Sequence, residues 1–357
     1  MSSCYLIVDH KGIHPGVRQL FNDLQTGSRW CVIAIFPNKR VAFVFSIEQE
    51  SYKKGHFDEV RSFFTKKELL ENLALFLEGQ EVYIDFDIIP YKIIEELKNH
   101  KIAFKSAETY RQKVFSLTPQ MVETHIEANY RIERIIKNFV DWFTFREDLC
   151  EKKIVTWLFE QIEKEGMETV SQPIVAFREN SALPHYHMEG MGALIQSEGP
   201  LLIDLWARLK EPNAIYADRT FMFMVNRKPQ KKEIEAFNAV LAAQKNAFDS
   251  IQEKVRGYEV DQAARKVLID RGFRENIFHR TGHSIDRNLH GLSMHFDSIE
   301  EPDLRTPEEN MVMSIEPAVY LENRFGVRLE SNIYLDSQKR PHWTNPLQNE
   351  WILLSGG

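Results

Sequence analysis

The chain has 357 residues, a hydrophobic content of 43% and a formal net charge of -7. That length makes two domains the prior and the apolar fraction is enough for a sizeable core. The acidic balance gives no basic face for nucleic acid, and no apolar run approaches the roughly 18 residues that a membrane span needs. Cys4, Cys31 and Cys150 lie far apart, make no metal spacing and suit a reducing compartment. The N-terminal stretch lacks the apolar region of a signal peptide, so a cytoplasmic location is expected.

Segments 31–36 (CVIAIF), 41–45 (VAFVF) and 82–86 (VYIDF) read as buried strands. Segments 67–77 and 91–98 carry apolar residues at three- and four-residue intervals and read as amphipathic helices. Together they predict a small α/β domain with no catalytic constellation and no glycine-rich phosphate loop. The boundary is expected near 110–120. Thr118-Pro119 then opens a long helix to about 143, with Thr as N-cap and Pro at the first helical position. A second helix is expected from about 147 to 165, ending at Gly166. Strand candidates follow at 173–177, 201–209, 215–225, 311–315 and 326–335, interrupted by helices at 230–252 and 260–271.

Five residues in that later region carry the chemistry: Asp204, Asp218, His283, Glu316 and Glu330. Four are carboxylates in apolar stretches, which is costly unless something neutralises them. Two divalent cations would balance four negative ligands. LLIDLWARL and AIYADRTFMF are joined by the charged turn KEPN and form a hairpin. Strand alternation puts Leu202, Asp204 and Trp206 on one face and Tyr216, Asp218 and Thr220 on one face of its partner. MSIEP and GVRLESNIYL repeat the arrangement for the glutamates, and His283 comes from the loop-like HRTGHS. An oxygen-rich shell with one imidazole suits Mn, Co or Fe, with Zn also compatible. A two-metal site activates water at neutral pH and grips a carbonyl oxygen. Taken singly, an Asp in a strand is usually an edge or turn residue, so spacing alone leaves the ordinary structural reading open.

The region of about 119–354 resembles the pita-bread metallopeptidases: aminopeptidase P, prolidase, methionine aminopeptidase and the creatinases. LLIDLWA and YADRT look like the two aspartate strands, TGHSIDRNLHG like the histidine motif, and MSIEPAVYL and GVRLESNIYL like the glutamate strands. The resemblance implies an α+β chain: a pita-bread catalytic domain over 118–357, with a curved antiparallel sheet flanked by helices, preceded by a creatinase-like α/β domain over 1–117. It implies that the five residues are metal ligands, and that Glu316 also relays a proton. His290 and His185 are expected to stabilise a tetrahedral intermediate or protonate the leaving nitrogen, since imidazole does either near neutral pH. His279, four residues before His283, and Arg328, two before Glu330, are similar to the prolyl branch and are expected to bind substrate. No role is assigned to His187 or His295.

Several positions depart from the family pattern. Trp206 replaces a small residue and is expected to narrow the pocket or stack on substrate, or else simply to pack in the core. The aspartates lie fourteen residues apart, Phe221 replaces an arginine, Ser284-Ile285-Asp286 replaces glycines, and Gly291 replaces an acid. The expected activity is hydrolysis of Xaa-Pro bonds in peptides, by an aminopeptidase or a dipeptidase using two divalent ions, manganese first, in a cytoplasmic homodimer. The alternatives are a hydrolase of small non-peptide amides and a non-catalytic binding module on the same fold.

Overall fold

The computed structural model describes residues 3–11, 13–21, 24, 27–53, 56–89, 91–100, 102–144 and 148–355. The chain divides into two compact units, 1–116 and 117–357. Among the described residues no helix is long and apolar enough to cross a membrane.

The first unit is built on a six-stranded mixed sheet. Its spatial order is Glu59–Phe63, Lys39–Phe45, Trp30–Phe36, Ser3–His10, Glu81–Ile84 and Phe104–Ser106. Three of these strands are additional to the expected ones, among them the short, largely exposed edge strand Phe104–Ser106. Ser3–His10 is a buried apolar run at the centre of the sheet. Glu59–Phe63 is an edge strand whose half-exposed, polar sequence gives little signal. The strand expected over 82–86 ends at Ile84, because the chain turns at Asp85, whose carbonyl accepts from Ile88 N and Ile89 N. Helices Lys66–Leu77 and Tyr91–Asn99 bury Leu69, Leu73 and Leu77, and Ile93, Ile94 and Leu97, which is the stripe their periodicity predicts. Thr65 Oγ1 caps the first by accepting from Glu68 N.

The second unit opens with helices Pro119–Thr144 and Glu151–Lys164. The start expected near 147 falls on residues 145–147, outside the described part. One sheet pairs Ile352–Leu354, Ala217–Val225, Gly199–Leu209 and Met167–Glu168 in that order, with Ile174–Phe177 also on Gly199–Leu209. A second runs Ser284–Ile285, Val312–Ile315, Ser331–Leu335 and Pro341–Trp343, and Ala318–Leu321 with Phe325–Arg328 forms a separate hairpin. Strand Gly199–Leu209 is almost wholly buried, and alternation sorts its side chains between two cores. Leu201, Ile203 and Leu205 pack with the two opening helices, while Leu202 packs with helices Lys231–Ser250 and Gly257–Asp270.

The single strand expected over 326–335 is two strands in different sheets, Phe325–Arg328 and Ser331–Leu335. The break at Leu329–Glu330 is made by neighbours that capture the backbone. Glu330 N donates to Thr220 O at 3.3 Å, Arg219 Nε donates to Glu330 O at 3.1 Å, and Gln244 Nε2 donates to Leu329 O at 2.9 Å. Helix Gly257–Asp270 starts three residues before the expected 260, because Glu259 reaches back to Arg256 N at 2.8 Å and closes a first turn that the apolar periodicity does not show.

Candidate metal centre

Strands Gly199–Leu209 and Ala217–Val225 pair antiparallel, with Thr220 opposite Asp204 and Trp206 opposite Asp218. Directly opposed residues share a face. Both carboxylates therefore leave the sheet on one side, on the face whose other members, Leu202, Met222 and Met224, are core. His283 immediately precedes Ser284–Ile285, Glu316 immediately follows Val312–Ile315, and Glu330 immediately precedes Ser331–Leu335. Those strands are neighbours, with Ser284 opposite Met313 and Ile315 opposite Ser331. Three strand ends thus deliver an imidazole and two carboxylates to the aspartate face.

Asp218, His283 and Glu330 are buried, and each offers a ligand atom within 4.8 Å of the others. His283 Nε2 lies 3.5 Å from Asp218 Oδ2 and 3.4 Å from Glu316 Oε1. Asp204 joins through Thr220, whose Oγ1 is 3.0 Å from Asp204 Oδ1 and 2.9 Å from Glu330 Oε2. His283 Nδ1 is 3.0 Å from Ser284 O. A carbonyl only accepts, so the ring proton sits on Nδ1 and the Nε2 lone pair faces the two carboxylate oxygens. Glu330 Oε1 has no hydrogen-bond partner among the described residues.

The charges are poorly balanced. Burial pushes Asp218 well above the usual carboxylate range and the Asp204 charge adds to it, with Arg328 opposing. Burial does the same to Glu330, reinforced by Asp218, Glu316 and Asp204. Glu316 is raised by burial, against the pull of His283 and Arg328. Burial lowers His283, against Glu316. Converging acceptors, a bare lone pair and an orphaned oxygen are what a bound cation would satisfy. Bonds of about 2.1 Å place neighbouring ligand atoms roughly 3–3.5 Å apart, the separation found around His283. The residues fit divalent cations.

Arg328 is 5% exposed and every nitrogen of its guanidinium is engaged. Nη2 pairs with Asp204 Oδ2, Nε donates to Thr220 Oγ1 at 3.0 Å, and Nη1 donates to Tyr320 OH at 3.1 Å and Pro184 O at 3.2 Å. His279 continues the chain. Its Nε2 lies 2.9 Å from Tyr320 OH and its Nδ1 2.7 Å from Arg280 O, which fixes the proton on Nδ1. Burial, then the Arg328 charge, pushes the His279 imidazole down to about 3, so it is neutral. His290 stands edge-on to the His283 ring, centroids 4.4 Å apart, and is exposed. His185 is exposed on the loop whose Pro184 carbonyl meets Arg328. Trp206 packs with Leu117, Val122, Ile215 and Tyr216, and its Nε1 donates to Ser171 Oγ at 3.2 Å.

Two of the departures from the family pattern explain each other. Asp286 accepts from Asn288 N at 2.6 Å and Leu292 N at 3.0 Å, turning the loop that carries His290. A Cβ on residue 291 would stand 2.8 Å from Asp286 Oδ2, so this turn needs Gly291. Among the other residues that sequence reasoning missed, Thr220 was within reach, since it alternates with Asp218. Asp261 was not. It is fully buried on helix Gly257–Asp270, and its Oδ1 accepts from Thr281 N at 2.9 Å and Thr281 Oγ1 at 2.6 Å. Its Oδ2 accepts from Ser298 N at 2.9 Å and Arg265 Nε at 2.7 Å. Thr281 O in turn accepts from Glu316 N at 2.7 Å. In sequence Asp261 and Arg265 are only an ordinary i,i+4 helix pair.

The model of metallopeptidase family M24 matches residues 111–337, a stretch that includes all five candidate ligands. The chain belongs to this family. It is 24% identical over 222 residues to a putative Xaa-Pro aminopeptidase of Mycoplasma genitalium, covering 62% of this chain and 59% of that protein. It is 24% identical over 316 residues to an Xaa-Pro dipeptidase of Lactobacillus helveticus, covering 87% and 73%. The chain therefore spans less than two thirds of the Mycoplasma relative. The crystal structure of the dipeptidase PepE from Mycobacterium ulcerans superposes with a TM-score of 0.80 at 22% identity, over 99% of this chain and 94% of that one. The fold is that of the pita-bread metallopeptidases, and the chain is an M24 metallopeptidase.

Proposed function

We propose that this M24 enzyme hydrolyses the Xaa-Pro bond of peptides, with two divalent ions held by Asp204, Asp218, His283, Glu316 and Glu330. The observation that carries the reading is the buried set of acids around an unprotonated His283 Nε2, with Arg328 the only guanidinium ion-paired to it among the described residues. The donor set favours manganese, with Co, Fe and Zn as competitors. When bound, the ions supply an activated water at neutral pH and polarise the scissile carbonyl.

The chain's own residues do the rest. His283 is held in its ligating tautomer by Ser284 O. Glu316, whose Oε1 stands 3.4 Å from His283 Nε2, takes the proton from the attacking water. His290 and His185 stabilise the tetrahedral oxygen or the leaving amine; burial, then the His283 charge, pushes His290 down to about 3, so it acts as a neutral hydrogen-bond partner. Each Arg328 nitrogen and both His279 ring nitrogens already have a partner within the protein. We assign them to holding Asp204 and Tyr320 in place, a revision of the substrate-binding role expected from sequence. Trp206 forms the wall beside Asp218. The Xaa-Pro substrate class rests on the relatives' names, a homodimer and a creatinase-like domain over 1–117 on the family resemblance, and a cytoplasmic location on the composition of the N-terminal stretch.

The test combines metal analysis with product release. Protein loaded with manganese should release the first residue from Xaa-Pro peptides, and comparing dipeptides with tripeptides separates dipeptidase from aminopeptidase. Metal bound at two equivalents, with no cleavage of either but turnover of small amides, would replace the peptide assignment.

A further inference from the structure

We infer that Glu151 is a positioning residue that sets His185 and the Pro184 carbonyl over the metal centre. The inference rests on the proposed role of His185. Glu151 is the first residue of helix Glu151–Lys164 and is fully buried. No cation is ion-paired to it among the described residues. Four neutral donors satisfy it instead. Oε1 accepts from Phe177 N at 2.8 Å and Asn180 Nδ2 at 2.9 Å, while Oε2 accepts from Tyr186 OH at 2.7 Å and Ala193 N at 2.8 Å. The N-terminal end of its own helix also favours the negative charge there.

All four donors come from segment 177–193, at its start, middle and end. One carboxylate therefore closes a long loop that has little regular structure of its own. A Cβ on residue 192, whose φ is +66°, would come within 2.3 Å of Glu151 Oε2, so Gly192 is there to let the loop approach. The far side of the loop is tied to the centre. Gly326 N donates to Ser181 Oγ at 3.0 Å, and Arg328 Nη1 donates to Pro184 O. His185 lies between the Arg328 tie at 184 and the Glu151 tie at 186. Its backbone is fixed from both sides while its imidazole stays exposed. Loosening either tie moves the imidazole, and misplacing a catalytic group by about 1 Å costs on the order of 100-fold.

The experiment is a double-mutant cycle in the manganese-loaded full chain. Glu151→Gln should lower kcat/KM for an Xaa-Pro peptide by roughly 10- to 100-fold, with unchanged metal content, and should add nothing further in a His185→Ala background. Tyr186→Phe, which removes a single donor, should give a smaller loss that His185→Ala also masks; it carries the test if Glu151→Gln fails to fold. Independent losses, or loss of bound metal in Tyr186→Phe, would overturn the inference. Protease cutting within 177–193 tests the same tie without turnover. Faster cutting in the variants at an unchanged melting temperature supports it, and wild-type rates overturn it, even if the peptide substrate is misassigned.

Discussion

Each unit of this chain buries carboxylates in a polar network, and the two networks are built in opposite ways. In the first unit Asp85 is 6% exposed, with Arg111 Nη1 at 3.1 Å, His14 Nε2 at 3.5 Å and the Tyr5 hydroxyl bonded to it. Burial raises the Asp85 carboxyl, but the His14 hydrogen bond, the Arg111 charge and Tyr5 outweigh it and leave it below its ordinary value. In the second unit burial raises Asp218, Glu316 and Glu330, reinforced by charges of neighbouring acids and only partly opposed by Arg328 and, at Glu316, by His283. Opposite shifts at the comparably buried Asp85, Asp218 and Glu330 mark the difference between a polar staple and a site waiting for cations. A closed network holds the fold, whereas an open one stores charge for a ligand.

Removing one acid from each cluster tests that contrast most directly. Asp218→Asn should abolish hydrolysis and metal binding while raising the melting temperature of the metal-free protein, since it relieves repulsion. Asp85→Asn should leave metal content intact and cost about 3 kcal/mol by stranding the half-buried Arg111 and the buried His14 and Tyr5, read from denaturant midpoints. Two shifts of the same sign would break the comparison.

Next in size is His125 of the second unit, which is wholly buried and has no ion pair among the described residues. Its Nδ1 donates to Tyr216 O at 2.6 Å and its Nε2 accepts from Asn129 Nδ2 at 3.0 Å, a neutral arrangement. Burial, with the Arg219 charge, pushes it down to about 4, against Tyr216 O. A histidine lowered in the folded state binds its proton more readily when unfolded. Its contribution is therefore complete above the unfolded value of about 6.5 and is lost as pH falls to about 4, roughly 3 kcal/mol in all. Unfolding midpoints across that window should slope downward with acid, and His125→Gln should flatten the slope.

Asp261→Asn should weaken metal affinity by about tenfold or more, as support of a ligand loop does, measured by calorimetric titration. It would show that the open cluster depends on a closed one behind it. The smallest effect is expected from Trp206→Phe. Losing the bond to Ser171 Oγ should cost about 1 kcal/mol and move KM by less than about twofold. A larger change in KM would put Trp206 against substrate rather than in the wall.

Much of the site was legible before any coordinates, because its signals are local. The aspartates stand in apolar strands, alternation assigns their face, and histidine and glutamates end short segments that pair with one another. What stayed hidden was fixed by partners distant in sequence. Asp261 and Glu151 look like helix-surface acids until Thr281, Ser298, Tyr186 and Ala193 are folded onto them. That Arg328 ties Asp204, Thr220, Tyr320 and Pro184 together is likewise visible only in the fold.

By itself the amino-acid order determined which residue types are donors, which faces they share, and that their charge exceeds what nearby cations offset. Side-chain alternation and donor chemistry need nothing beyond the neighbouring residues. Only the tertiary structure decided that the run from Gly326 breaks at Glu330, which tautomer His283 adopts, and which acids are closed off by partners and which are left open. The break at Glu330 and the pairing of Asp204 depend on bonds across more than a hundred residues of chain, Arg219 to Glu330 and Arg328 to Asp204, while the His283 tautomer is set by the carbonyl of the next residue, which only the folded backbone turns toward the ring.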